Sequence, residues 1–251
     1  MLVRDKGLVK TVGFAESKYV GDPINAVKIF NEKEVDELMV LDIDATVRGH
    51  GPDYRMIENL AAESRMPLCY GGGVKTAEQA KTIIGLGIEK VAISSAAIDN
   101  PSLISEAADA VGNQSVVVVL DVKARERGAK YEVCTHNGRT STGRAPADVA
   151  AALEKLGVGE IVVNSIDNDG RMRGYDLAAV RQVREATNVP ITALGGAGSL
   201  KDIGELIRTF GVIGAAAGSL FVFKGAYRAV LINYPSAGER DRLIRECLGV
   251  A

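Results

Sequence analysis

Short apolar runs and longer amphipathic runs alternate along this chain. The apolar runs read as buried strands: Glu37–Asp44, Pro67–Tyr70, Lys90–Ser95, Ser115–Asp121, Glu160–Ser165, Pro190–Leu194 and Gly211–Ala217. Ser115–Asp121 is almost unbroken valine and leucine, as a parallel strand buried on both faces requires. Between them, apolar residues recur at helical spacing over Tyr54–Ser64, Thr76–Leu86, Pro101–Val111, Pro146–Leu156, Leu177–Thr187 and Leu200–Arg208. Tyr131–Thr142 carries Asn137-Gly138 between strand-like runs and predicts a hairpin. Lys123–Lys130 is a charge run and predicts a solvated loop. No linker breaks the alternation, so one domain over 1–251 is expected.

The pattern also repeats. Gly71-Gly72-Gly73 and Gly195-Gly196-Ala197-Gly198 each end an apolar run, and Ser95 and Ser219 each follow one strand–helix unit later. Both pairs are 124 positions apart. Repeated βα units in two similar halves predict a (β/α)8 barrel. A dinucleotide-binding sheet would need G-x-G-x-x-G after its first strand, and that is missing. In such barrels chemistry sits at the C-terminal strand ends. There the chain places Asp42, Gly72, Gly73, Ser94, Ser95, Asp121, Asn164, Asp169, Gly170, Gly195, Gly196, Gly218 and Ser219. Glycine lets backbone N–H groups approach an anion closely. Two such cradles predict a substrate with phosphate at both ends, although each turn read alone is also an ordinary tight turn.

Composition removes other classes. The chain has 251 residues, 47% of them hydrophobic, and a net charge of −2, so no basic field invites nucleic acid. Aromatics are 5% and tryptophan is absent, which removes base-stacking platforms. Three dispersed cysteines suit a reducing cytoplasm and offer no metal spacing; neither metal nor cofactor is expected. No apolar run reaches the ~20 residues that span a bilayer.

Leu41-Asp42-Ile43, Gly71-Gly72-Gly73, Val117–Asp121, Ser165-Ile-Asp-Asn-Asp-Gly170, Gly174-Tyr175-Asp176 and Gly195–Gly198 together resemble the cyclase (HisF) family of imidazole glycerol phosphate synthase. The resemblance covers essentially the whole chain. It implies a diphosphorylated substrate at the barrel mouth and a glutaminase docked at the opposite, N-terminal face, whose ammonia crosses the barrel. The family's two acid–base aspartates fall on Asp121 and Leu2, so one of the pair is lost. Lys10 matches a lysine of the loop that closes over substrate. Glu37, Lys90 and Glu160 match three charges of the family's ammonia-channel gate, and Glu89 a partner-facing acid. Read without the family, the three gate charges form a plain salt-bridge layer.

Gly7-Leu-Val-Lys-Thr11, the Gly21–Glu37 stretch and Leu2 itself are similar to a second clade, which accompanies surface-polysaccharide genes and serves sugar amidation. The resemblance therefore implies an ammonia-using barrel subunit for a sugar. Its alternatives are an authentic cyclase of histidine synthesis and a non-catalytic ammonia-channel scaffold. A stunted first strand at Met1–Val3 is expected.

Overall fold

The computed structural model describes residues 1–126 and 130–249. Eight strands build the barrel: β1 Leu2–Arg4, β2 Leu38–Asp42, β3 Leu68–Gly71, β4 Lys90–Ile93, β5 Val116–Glu126, β6 Glu160–Ser165, β7 Ile191–Leu194 and β8 Gly214–Ala215. Each neighbouring pair from β1 to β8 is parallel. The covering helices are α1 Pro23–Glu32, α2 Tyr54–Glu63, α3 Ala77–Gly85, α4 Ser102–Val111, α5 Pro146–Lys155, α6 Leu177–Ala186, α7 Leu200–Phe210 and α8 Ala237–Leu248. The architecture is the expected (β/α)8 barrel, with a short β1 as its first strand.

Alternation along the strands separates two cores. Val118, Leu120, Ile161 and Val163 point outward and bury against the helices. Val117, Val119 and Val162 point inward, where they meet Cys69 and Ala92 in a separate apolar lumen. Because the side-chain period is 2, Asp121 and Asn164 continue those inward columns at the top, and Glu160 ends one at the bottom.

The half-barrel repeat extends to the helix caps. Asp53 starts α2 at φ −82°, ψ 86°, and its carboxylate accepts from the Met56 amide. Asp176 starts α6 at φ −82°, ψ 84°, and accepts from the Ala179 amide. α3 and α7 each begin with a capping box, Thr76 with Gln79 and Ser199 with Asp202.

Several expectations need correction. Glu37–Asp44 shortens to β2, and Gly211–Ala217 shortens to the two residues of β8. Lys123–Glu126 belongs to β5 rather than to a loop; this extension pairs antiparallel with Lys130–Thr135, and positions 127–129 of the charge run lie outside the described residues. The hairpin expected over Tyr131–Thr142 is present and closes onto Thr140–Ser141. Unpredicted elements flank the barrel: a hairpin of Gly7–Lys10 and Lys18–Gly21, helices α1 and α8, and a small hairpin of Phe223–Lys224 and Ala229–Val230. Tertiary pairing, not periodicity, defines the hairpins, since their strands run only two to four residues.

Candidate functional site

One continuous cavity of about 500 Å³ reaches from Asp121, Lys10 and Gly218 at the C-terminal mouth to Glu37 and Glu160 at the N-terminal end. Its middle is lined by lumen residues such as Met39, Ala92 and Val119.

Asp121 crowns β5. Its carboxylate accepts from Asn164 Nδ2 at 2.8 Å and from Ser94 Oγ at 3.5 Å. Burial pushes Asp121 up to about 7; the Asn164 bond pulls it down, the Asp169 charge pushes it further up and Ser94 pulls it down. Asp121 is thus divided between acid and base near neutrality. Lys10 ends the strand Gly7–Lys10, and burial draws it down to about 8 against the pull of Asp169. Its ammonium lies beside the Gly218 backbone, where an added Cβ would stand 2.2 Å from Nζ. The structure therefore brings Lys10 to the turn that leads into Ser219, itself 8% exposed. Asp169 is raised by burial, opposed by a 2.7 Å hydrogen bond from Thr11 and by Lys10.

The two glycine turns sit at the ends of β3 and β7, as expected, and packing alone demands their glycines. Gly72 has φ +125°, and a Cβ there would strike Asp42 O at 2.5 Å. Gly196 has φ +109°, and a Cβ would lie 2.0 Å from Gly174 O. Gly73 and Gly195 line the cavity beside them, with Gly170 below the Thr11 loop. Asp42 turns its carboxylate onto the amides of Asp44 and Ala45, at 3.1 and 3.2 Å, and so shapes the loop after β2. Ser95 Oγ accepts from the His136 amide at 3.0 Å, and Asn137 Nδ2 donates to Ile43 O at 2.6 Å. These bonds draw the hairpin turn after β5 toward the ends of β2 and β4. Sequence reasoning passed over Thr11, which directly follows Lys10, and gave Asn164 no role. The available signal for Asn164 was its place at the C-terminal end of its strand.

At the other end, Lys90 Nζ donates to Glu37 Oε2 at 2.7 Å and to Glu160 Oε2 at 2.9 Å. Thr192 donates its hydroxyl to Glu160 Oε1 at 2.7 Å. Burial opposes the charge of Lys90, but both carboxylates outweigh it and hold the lysine above its ordinary range. The three expected gate residues are therefore one hydrogen-bonded layer beneath the lumen. Glu89 lies apart from it and accepts from the Leu68 amide at 2.6 Å.

The fold and these two ends define a barrel with acid–base groups at its mouth and a charged layer at its base. Over residues 2–228 the chain matches the family described as Histidine biosynthesis protein, and it belongs to that family. A Vibrio vulnificus relative, provisionally named imidazole glycerol phosphate synthase subunit hisF3, is 56% identical over 97% of this chain and 94% of its own length. A Pseudomonas aeruginosa relative, provisionally named subunit hisF2 of that synthase, is 51% identical over 96% of each chain. Clostridium botulinum imidazole glycerol phosphate synthase subunit HisF is 40% identical over 90% of each chain. The chain is thus HisF-like. No helix among the described residues is long and apolar enough to cross a membrane.

Proposed function

We propose that this chain is the barrel subunit of a glutamine amidotransferase pair. A glutaminase docks at the N-terminal face around Glu37, Lys90 and Glu160, and its ammonia travels through the apolar lumen to the mouth. There a substrate carrying phosphate, at both ends or as a sugar phosphate, lies between the Gly72–Ser95 side and the Gly195–Ser219 side. The acceptor is a sugar destined for surface polysaccharide. The observation that carries this reading is Leu2, which lines the cavity at the position where the resemblance places the second acid–base aspartate. A leucine side chain transfers no proton, and general acid–base catalysis is worth ~10²–10⁴-fold.

The test is turnover of the family's ribulosyl aminoimidazole carboxamide ribotide by purified protein with ammonium salt at alkaline pH. Turnover should fall at least ~10²-fold below that of a two-aspartate cyclase, while the diphosphorylated compound still binds. Leu2→Asp should recover part of that turnover. One observation favours a second reading, an authentic cyclase: Asp121 near 7 and Lys10 near 8 place an acid and a base in one mouth without Leu2. Wild-type turnover at the level of a two-aspartate cyclase would establish that reading. Absence of both turnover and ligand binding would leave a scaffold that only channels ammonia.

A further inference from the structure

Asn164 is 6% exposed and stands at the top of the inward column that Glu160 starts and Val162 continues. Its Nδ2 donates to Asp121 Oδ1 at 2.8 Å. With Asp121 ionised, that bond fixes which way the amide faces, because the flipped amide would set oxygen against a carboxylate oxygen. Oδ1 then lies on the side of Gly195, where an ideal Cβ would come within 3.3 Å of it. The same spot lies 2.7 Å from the Ser165 carbonyl oxygen, so the Gly195 turn packs closely there, and both Gly195 and Asn164 line the cavity. Among the described residues nothing donates to this oxygen, although it is fully buried. A buried acceptor without a donor costs about 1–3 kcal/mol, so the oxygen is built for a donor the protein does not supply. Beneath it the lumen is valine, alanine and cysteine.

We propose that Asn164 is the ammonia-receiving residue of the mouth: Oδ1 accepts an N–H of the arriving nitrogen while Nδ2 holds Asp121 beside it. This rests on the delivery of ammonia through the lumen proposed above. Nitrogen held at the mouth as ammonium gives one proton to Asp121. One N–H bond breaks, one O–H bond forms on the carboxylate, and the electron pair stays on nitrogen, free to attack the acceptor. Asn164 is thereby both a nitrogen ligand and a positioning residue for Asp121. Asp121 also faces the Ser94 hydroxyl and feels the charge of Asp169.

The test needs neither turnover nor a glutaminase, so it stands whatever becomes of the sugar-amidation reading. In the full ¹⁵N-labelled chain at about pH 8, where Asp121 is mainly ionised, the Asn164 side-chain amide signals are followed during addition of ammonium chloride. Tetramethylammonium chloride is the control, with the same charge and no N–H. Saturable movement with ammonium alone, at least threefold weaker at about pH 6, is the expected result. Equal movement with both salts, or none with ammonium, overturns the proposal. Asn164→Leu gives a second readout at the ¹³C-labelled Asp121 carboxyl. Its response to ammonium should vanish and its titration midpoint should rise, because a donor that favoured the carboxylate is gone. A retained ammonium response in this variant would seat the nitrogen elsewhere and overturn the assignment. Should the variant fail to fold, the comparison of salts on the wild type still decides.

Discussion

At the scale of single residues, the mouth stores one unfavourable charge. Asp121 titrates at about 7 in the folded chain against an ordinary 3.8. The folded state therefore holds this proton more tightly than the unfolded state, and the linkage follows. The contribution is fully present below about pH 4 and is lost as pH rises through about 7. At ~1.4 kcal/mol per pKa unit the loss has an upper bound of about 4 kcal/mol, reduced by whatever water enters the open mouth. Asp121→Asn removes this dependence while keeping the shape. Urea unfolding at a series of pH values should show the variant gaining on the wild type between about pH 4 and 8 by ~1–4 kcal/mol. A constant difference between the two would mean that Asp121 is ionised throughout. Leu2 lines the same cavity and adds no charge there, so on the proposed reading proton transfer in the mouth falls to groups such as Asp121 and Lys10.

At the scale of elements, β2, β4, β6 and β7 meet in the layer of Glu37, Lys90, Glu160 and Thr192. Removing the lysine alone leaves two carboxylates facing each other at the barrel base, with the Thr192 hydroxyl the one remaining side-chain donor to Glu160 among the described residues. Lys90→Met should cost about 1–2 kcal/mol, less than a fully buried pair because Lys90 is 26% exposed. Adding Glu160→Gln should return part of that, giving a coupling of about 0.5–2 kcal/mol in a chemical-denaturation double-mutant cycle. Strict additivity would refute a mutually compensated layer. The sequence made this layer visible only through the family pattern, because three charges at three strand starts show no local sign of converging. The barrel strands and their helices were readable because Val116–Leu120 is an unbroken apolar run and because apolar residues recur at helical spacing between the strands. The hairpin of Gly7–Lys10 and Lys18–Gly21 was not, since its residues pair with each other and with β1 across a bend that no periodicity encodes. Asp121 was found as a type at a strand end, whereas Lys10 was found only through the family resemblance. The Asn164 bond that tunes Asp121 required the register of β5 against β6, in which Asn164 stands opposite Asp121.

At the scale of the molecule, the two-fold repeat and the sheet order disagree about where the barrel is strongest. The repeat treats β3 and β7 alike, and the caps of α2 and α6 match to within a few degrees. The sheet does not. β5 and β6 share six residue pairs in register, whereas β1 and β2 share two, and β7 and β8 share two. Among the described residues β8 pairs only with β7, and the sheet path runs from there through β5 and β6 to β1 without closing. Instead, Leu231 and Asn233 return their amides to Val222 and Phe221, and Tyr234 reaches Asp36 at 2.8 Å, so the chain after β8 folds back toward the entry of β2. Local opening follows the density of buried apolar contact and paired backbone. Amide exchange should therefore be slowest at Val117–Leu120 and Ile161–Val163 and rise toward both β1 and β8, despite the matched halves. If the repeat governed stability, β7 and β8 would exchange like their counterparts β3 and β4. On that order the rigid centre carries Asp121 and Asn164 together, whereas Lys10, on the hairpin that pairs with β1, belongs to the end expected to exchange faster.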